Sequence, residues 1–214
     1  MIRFAHRGGA WDGAAENTLV AFGLALDAGA RAVESDVWVT ADGVAVLDHD
    51  GDVDGRSLGE LAVADLPGHI PTLAALLDRT GPSVVVSLDV KDPDAFGAVV
   101  ATARAADALD RVWLCFHRWR QLVAWRAAEP QARLVDSTYV GFMRGGPELR
   151  AERLAEARID AVNLHHSEWT GELVATFAAR GLQLWAWDVQ TATDLDRMSA
   201  LGIDAVFTDQ PHLL

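Results

Sequence analysis

Residues 83–116 read SVVVSLDVKDPDAFGAVVATARAADALDRVWLCF. A β-branched run over 83–91 gives way to an Ala-rich stretch over 95–108, and a second apolar run follows over 112–116. β-Branched runs favour strands and Ala-rich sequence favours helix, so this stretch predicts strand, helix, strand. The same alternation extends both ways. Upstream lie a strand ending over 4–8, a helix over about 17–28 stopped by Gly29, and a strand over 32–40. Downstream, strands over 133–137, 160–165, 183–189 and 205–208 alternate with helices over 120–128, 148–158, 171–179 and 192–201. Alternation of this kind predicts a parallel sheet with crossover helices. Eight strands are expected. No Gly-rich dinucleotide fingerprint follows the first, which favours a closed (β/α)8 TIM barrel over an open doubly wound sheet.

The chain has 214 residues, the length of one domain, 1–214. Hydrophobic residues make up 50% and charged residues 23%, which excludes a disordered chain. A formal net charge of -13 argues against nucleic acid as a partner. A small phosphorylated substrate needs only a few local cations or a metal. The single cysteine, Cys115, excludes an internal disulfide. No apolar run reaches transmembrane length, so stable membrane insertion is not expected. The N-terminus enters a short strand without a signal-peptide core, and a cytoplasmic location is expected.

One apolar segment, 44–49, lies only three residues after the strand over 32–40. A parallel crossover needs a dozen or more residues, so the two must form an antiparallel hairpin about Asp42-Gly43. Pairing about that turn sets Trp38 near Val46 and Asp36 near Asp48, with His49 opposite Ser35. The hairpin thus returns His49 beside Glu34 and Asp36.

Active sites of β/α barrels lie at the C-terminal ends of the strands. Those ends carry His6 and Arg7, then Glu34 and Asp36 with His49, then Asp89 and Lys91. Glu34 and Asp36 are two apart and share a face of their strand, as do Asp89 and Lys91. Three carboxylates without a cysteine suit a hard cation, Mg²⁺ or Ca²⁺. Two histidines beside them suit general acid and base, and Arg7 and Lys91 suit phosphate oxygens. Together they describe a phosphodiester cleavage site.

On these residues the chain resembles the glycerophosphodiester phosphodiesterases of the PLC-like barrel superfamily. The matching stretches are His6-Arg7-Gly8-Gly9, Glu16-Asn17-Thr18, AGARAVESDVWVTADGVAVLDHD over 28–50, Ile70-Pro71-Thr72-Leu73, Leu88-Asp89-Val90-Lys91, and LWAWDVQTATDLDRMSALGIDAVFTDQP over 184–211. They occur in order across nearly the whole chain. The resemblance implies metal-dependent hydrolysis of glycerophosphodiesters to glycerol 3-phosphate and an alcohol. It implies metal ligands at Glu34, Asp36 and Asp89, catalytic histidines at His6 and His49, and phosphate contacts from Arg7 and Lys91. It also implies an aromatic residue near the glycerol, Trp187, with Phe116 a second candidate. Three departures stand out. Asp89 replaces the usual glutamate, as in the similar sphingomyelinase D enzymes of spider venom. Asp188 replaces the usual threonine after Trp187. The segment over 51–69 is short.

Two other functions are compatible with parts of this pattern. One is a phospholipase D-like activity on lysophospholipids, suggested by Asp89. The other is a catalytically silent binding module, which the intact polar set opposes. Away from the main set, His165, His166, His117, His69 and His212 are expected in surface, loop or hydrogen-bonding roles. Cys115 is expected as a small buried hydrophobe. Glu16 and Asn17 are expected to fix the loop and start the first helix, Asn being a good N-cap. Eight units in 214 residues leave about 27 each, against roughly 31 in a typical barrel. An exposed site with a minimal cap is therefore expected.

Overall fold

The computed structural model describes residues 1–214. Eight parallel strands close into a ring: β1 (Ile2–Ala5), β2 (Ala32–Val39), β6 (Val85–Val90), β7 (Val112–Phe116), β8 (Arg133–Ser137), β9 (Ala161–His165), β10 (Gln183–Trp187) and β11 (Ala205–Thr208). Neighbours in sequence are neighbours in the ring, and β1 pairs with both β2 and β11, which removes every free edge of the barrel. The remaining strands are β3 (Ala45–Leu47), β4 (Asp52–Val53) and β5 (Arg56–Ser57). Seven helices cover the outside: α1 (Leu19–Asp27), α2 (Leu73–Thr80), α3 (Ala95–Ala105), α4 (Trp119–Ala128), α5 (Gly146–Glu156), α6 (Gly171–Ala178) and α7 (Ala192–Leu201). After β11 the place of an eighth helix is taken by one 3-10 turn, Pro211–Leu213. This is a TIM-like barrel.

Alternation along each strand divides the apolar residues into two cores. Side chains facing out pack under the helices in a cluster of 41 residues. Those facing in fill the barrel with Phe4, Trp113, Trp185 and Phe207. The Phe4 and Phe207 rings stack at 4.7 Å, and Trp113 meets Trp185 at 4.7 Å. The interior is a packed plug rather than a pore, so the site can form only at its upper end.

The β2–β3 hairpin has the register its turn predicts: Val37 pairs with Leu47, Trp38 with Val46, and Val39 with Ala45. The Asp48 amide then donates to the Asp36 carbonyl at 3.2 Å. The short segment beyond His49 forms the β4–β5 pair about Asp54-Gly55, both at positive φ, followed by two 3-10 turns. Leu58 and Ile70 pack there on Val46, under the hairpin.

The start of α1 corrects one expectation. Its cap is Thr18, whose hydroxyl accepts from the Ala21 amide at 3.2 Å. Asn17 stands one residue earlier at φ 55 and is buried. Its side-chain amide donates to Asp36 Oδ2 at 3.0 Å, and its carbonyl accepts from the Ser35 hydroxyl at 2.6 Å. A threonine can cap from the extended backbone that precedes a helix. That leaves Asn17 free for the carboxylate.

Candidate active site

At the C-terminal ends of the strands opens a cavity of about 620 Å³. His6, Arg7, Glu34, Asp36, Asp89 and Lys91 all line it. No residue between Asp36 and Ser87 does, so the 51–69 segment forms no part of its wall.

His6 and Arg7 leave β1 in a tight turn. Arg7 has φ 51, and its amide donates to Glu34 Oε2 at 3.0 Å. Gly8 follows at φ 88, where a Cβ would lie 2.9 Å from Ala21 Cβ and 3.0 Å from the α1 backbone. Only glycine lets the turn sit this close to the helix. His6 Nδ1 meets Asp209 Oδ1 at 2.6 Å, and its Nε2 stands 3.8 Å from Glu34 Oε2. Burial opposes a charged imidazole here, but Glu34 and Asp209 outweigh it and raise the pKa of His6. Asp209 is held by a second bond, Gln190 Nε2 to Oδ2 at 2.7 Å. The His6 bond keeps the Asp209 carboxyl below the ordinary range.

Asp36 and Asp89 are register partners on adjacent strands, so they stand side by side at the mouth. Lys91 Nζ lies 2.9 Å from each. Arg7 Nε approaches Asp36 at 3.3 Å while its NH1 meets Glu16 at 2.9 Å. Glu34 is buried. That burial raises its pKa, with Asp36 and Asp89 adding to the effect and His6 opposing it. The donors are all oxygens, so Glu34, Asp36 and Asp89 suit a hard divalent cation.

A second cluster, His165, His166 and Asp188, has ligand atoms all within 4.8 Å of one another and is the only such group. Three of its four ring nitrogens are already engaged. The Ser167 amide donates to His165 Nδ1 at 3.2 Å, so the ring proton sits on Nε2 and faces Asp188 Oδ2 at 3.1 Å. Arg197 donates to His166 Nδ1 at 3.1 Å. Neither imidazole offers a lone pair to the space between them.

The remaining expected residues divide. Trp187, the last residue of β10, lines the cavity. Phe116 does not: it is buried in the outer core against the Trp125 ring at 5.0 Å. On β7 the inward residues are Trp113 and Cys115, and one step along a strand reverses the face. That places Phe116 among the helices rather than by a substrate. His49 follows the hairpin as expected, but its ring turns to Asp50 Oδ1 at 2.8 Å and is 39% exposed, outside the cavity wall. Cys115 is buried, with its pKa raised well above the ordinary value by that burial. His117 lines the cavity, which its surface reading missed, and partial burial lowers its pKa.

Asp209 and Gln190 carried no reading in the sequence. The available signal was the polar run after β11 and β10, the positions from which a barrel builds its site. The Glycerophosphoryl diester phosphodiesterase family matches residues 6–213 of the chain. The protein belongs to this family. The glycerophosphodiester phosphodiesterase of Caldanaerobacter subterraneus subsp. tengcongensis is 26% identical over 237 residues, covering 98% of this chain and 94% of its own. The crystal structure of the Thermotoga maritima glycerophosphodiester phosphodiesterase aligns with a TM-score of 0.85 at 23% identity, over 100% of this chain and 96% of that one. An Oleispira antarctica phosphodiesterase, solved in complex with the product sn-glycerol-3-phosphate, aligns with a TM-score of 0.82 at 22% identity, over 100% of this chain and 94% of that one. These two structures share the barrel. The family match carries the classification as a hydrolase. No helix is long and apolar enough to cross a membrane.

Proposed function

We propose that residues 1–214 act as one catalytic unit that hydrolyses glycerophosphodiesters to glycerol 3-phosphate and an alcohol. The observation that carries this reading is the meeting of His6, Arg7, Glu34, Asp36, Asp89 and Lys91 in one cavity at the strand ends of a family barrel. The Oleispira antarctica relative, solved with sn-glycerol-3-phosphate, supports the product.

Arg7 and Lys91 bind the phosphate oxygens, and their pairing with Glu16, Asp36 and Asp89 holds both side chains in place. Glu34, Asp36 and Asp89 would hold Mg²⁺ or Ca²⁺. When bound, that ion supplies charge stabilisation for the phosphoryl oxygens. Asp209 accepts from His6 Nδ1, which fixes the tautomer and leaves Nε2 for proton transfer. His6 protonates the leaving alkoxide. His49 takes the proton of the nucleophile, either water or the glycerol 2-hydroxyl with water then opening the cyclic phosphate, after its ring swings from Asp50 to the mouth, a rotation that breaks one exposed hydrogen bond. Trp187 forms an apolar wall for the substrate. The substrate is a small molecule, and the reading calls for neither nucleic acid nor stable membrane insertion.

A panel of glycerophosphodiesters assayed with Mg²⁺, Ca²⁺, Mn²⁺ and a chelator tests this reading. Release of glycerol 3-phosphate with a divalent ion, abolished by the chelator, is expected. Preferred cleavage of lysophosphatidylcholine to choline, with little release of glycerol 3-phosphate, supports the phospholipase D-like reading instead.

A further inference from the structure

The mouth has a side the hydrolytic set does not use. Tyr139 and Phe142, on the loop after β8, and Trp187 line the cavity there. Tyr139 stands at 89° to Trp187 with centroids 5.3 Å apart, and at 84° to Phe142 with centroids 5.7 Å apart. Phe142 is 71% exposed, an unusual place for a phenyl ring. Rings meeting at right angles make a corner that offers π-faces rather than a stack.

Asp188 lines the same cavity, at φ 63, with its side chain 47% exposed. Its ion-pair partner is His165 alone. The Ser167 amide donates to Nδ1 of that imidazole, so His165 meets Asp188 through Nε2 alone. Nearby, Arg7 and Lys91 are taken up by Glu16, Asp36 and Asp89. The corner thus joins aromatic faces to a half-exposed carboxylate that no arginine or lysine pairs, the combination that binds quaternary ammonium groups. Three hydrogen bonds link Asp188 to the acid His6: Gln190 to Asp188 at 3.1 Å, Gln190 to Asp209 at 2.7 Å, and Asp209 to His6 at 2.6 Å.

We propose that Tyr139, Phe142, Trp187 and Asp188 form a subsite for a cationic leaving alcohol of the choline type. The proposal rests on the hydrolytic reading above and reassigns Trp187 from the glycerol to the alcohol end of the substrate. An apolar acyl chain would leave the Asp188 charge beside hydrocarbon, a costly placement, whereas a quaternary ammonium satisfies both the rings and the charge.

The test compares kcat/KM for glycerophosphocholine and glycerophosphoglycerol, which give the same glycerol 3-phosphate. A preference of about tenfold for the choline diester, expressed in KM, is expected from the size of cation–π contacts. Tetramethylammonium should compete with it. Asp188→Asn and Phe142→Ala should each bring the ratio toward one, and Asp188→Glu should restore part of it. Phe142 is exposed, so its variant tests the corner without endangering the fold. A wild-type ratio of one or below overturns the proposal. So does a preference for lysophosphatidylcholine over glycerophosphocholine that Phe142→Ala removes. If no diester is cleaved, the hydrolytic reading fails, and titration of tryptophan fluorescence with tetramethylammonium still decides the corner: saturable quenching, weakened in Asp188→Asn, supports it, and its absence overturns it.

Discussion

His6 owes its orientation to Asp209, a residue 203 positions away in sequence. The carboxylate holds one ring nitrogen and leaves the other toward Glu34, the orientation that the proposed proton transfer requires. Replacing His6 by alanine is expected to lower kcat on the order of 10³-fold, with circular dichroism unchanged. His49→Ala is expected to act similarly, and near-normal turnover in either variant would remove that residue from the mechanism. Asp209→Asn keeps the shape but allows the wrong tautomer, and a loss of about 10²-fold in kcat with little change in KM is expected. A loss confined to KM would place Asp209 in substrate binding instead. Asn17 shows the same logic in a supporting role. By holding Asp36 Oδ2 it fixes the carboxylate rather than the helix.

Single elements carry the site only as far as their neighbours hold them. The end of β8, which leads into Tyr139 and Phe142, is tied to α5 by a buried pair, Arg150 NH1 to Asp136 Oδ2 at 2.8 Å. Arg150→Met leaves Asp136 without its partner and should destabilise the fold by about 3–5 kcal/mol, read as a lower Tm. A second replacement, Asp136→Leu, should recover most of that loss. Burial lifts the Asp136 carboxyl to about 6 against the pull of Arg150. A folded-state pKa above the unfolded value of about 4 means that this group favours folding most at acid pH, and the benefit fades as pH rises through 6. Without Arg150 the carboxyl rises further, so the Tm deficit of Arg150→Met should be larger at pH 8 than at pH 5. An equal deficit at both would show that the pair contributes by packing alone.

For the whole molecule, closing the ring with seven helices explains how an eight-stranded barrel fits in 214 residues. The saving falls on the cap: residues 51–69 pack beneath the hairpin, and the aromatic rim stays open to solvent. An open, acidic mouth on a chain of net charge -13 should draw in divalent cations. Mg²⁺ or Ca²⁺ at a hundred times its Kd is expected to add about 2.7 kcal/mol of stability, a rise in Tm of roughly 5–10 °C. Glu34→Gln should remove most of that shift. A full shift in Glu34→Gln would place the ion elsewhere.

The strands, the helices, the hairpin register and the carboxylates at the strand ends were legible because each depends on local rules. A period of two or 3.6 residues and the chemistry of an Asp-Gly turn act over a few residues at a time. Lining up Glu34, Asp36, Asp89 and Lys91 needed nothing more. Other features were set by contacts the chain makes only when the ring closes. β1 meets β11 there, which brings Asp209 to His6. Adjacent strand residues such as Cys115 and Phe116 face opposite ways, and the barrel axis decided that Phe116 points to the helices. The hairpin placed the His49 backbone, while its ring followed the nearest carboxylate, Asp50. Tyr139, Phe142, Trp187 and Asp188 come from two strand ends that are distant in sequence, and their common corner exists only in the closed barrel. The sequence by itself determined the barrel and the charged residues at the ends of its first three strands. The tertiary structure decided which of them touch, because side-chain direction and partner depend on neighbours far along the chain.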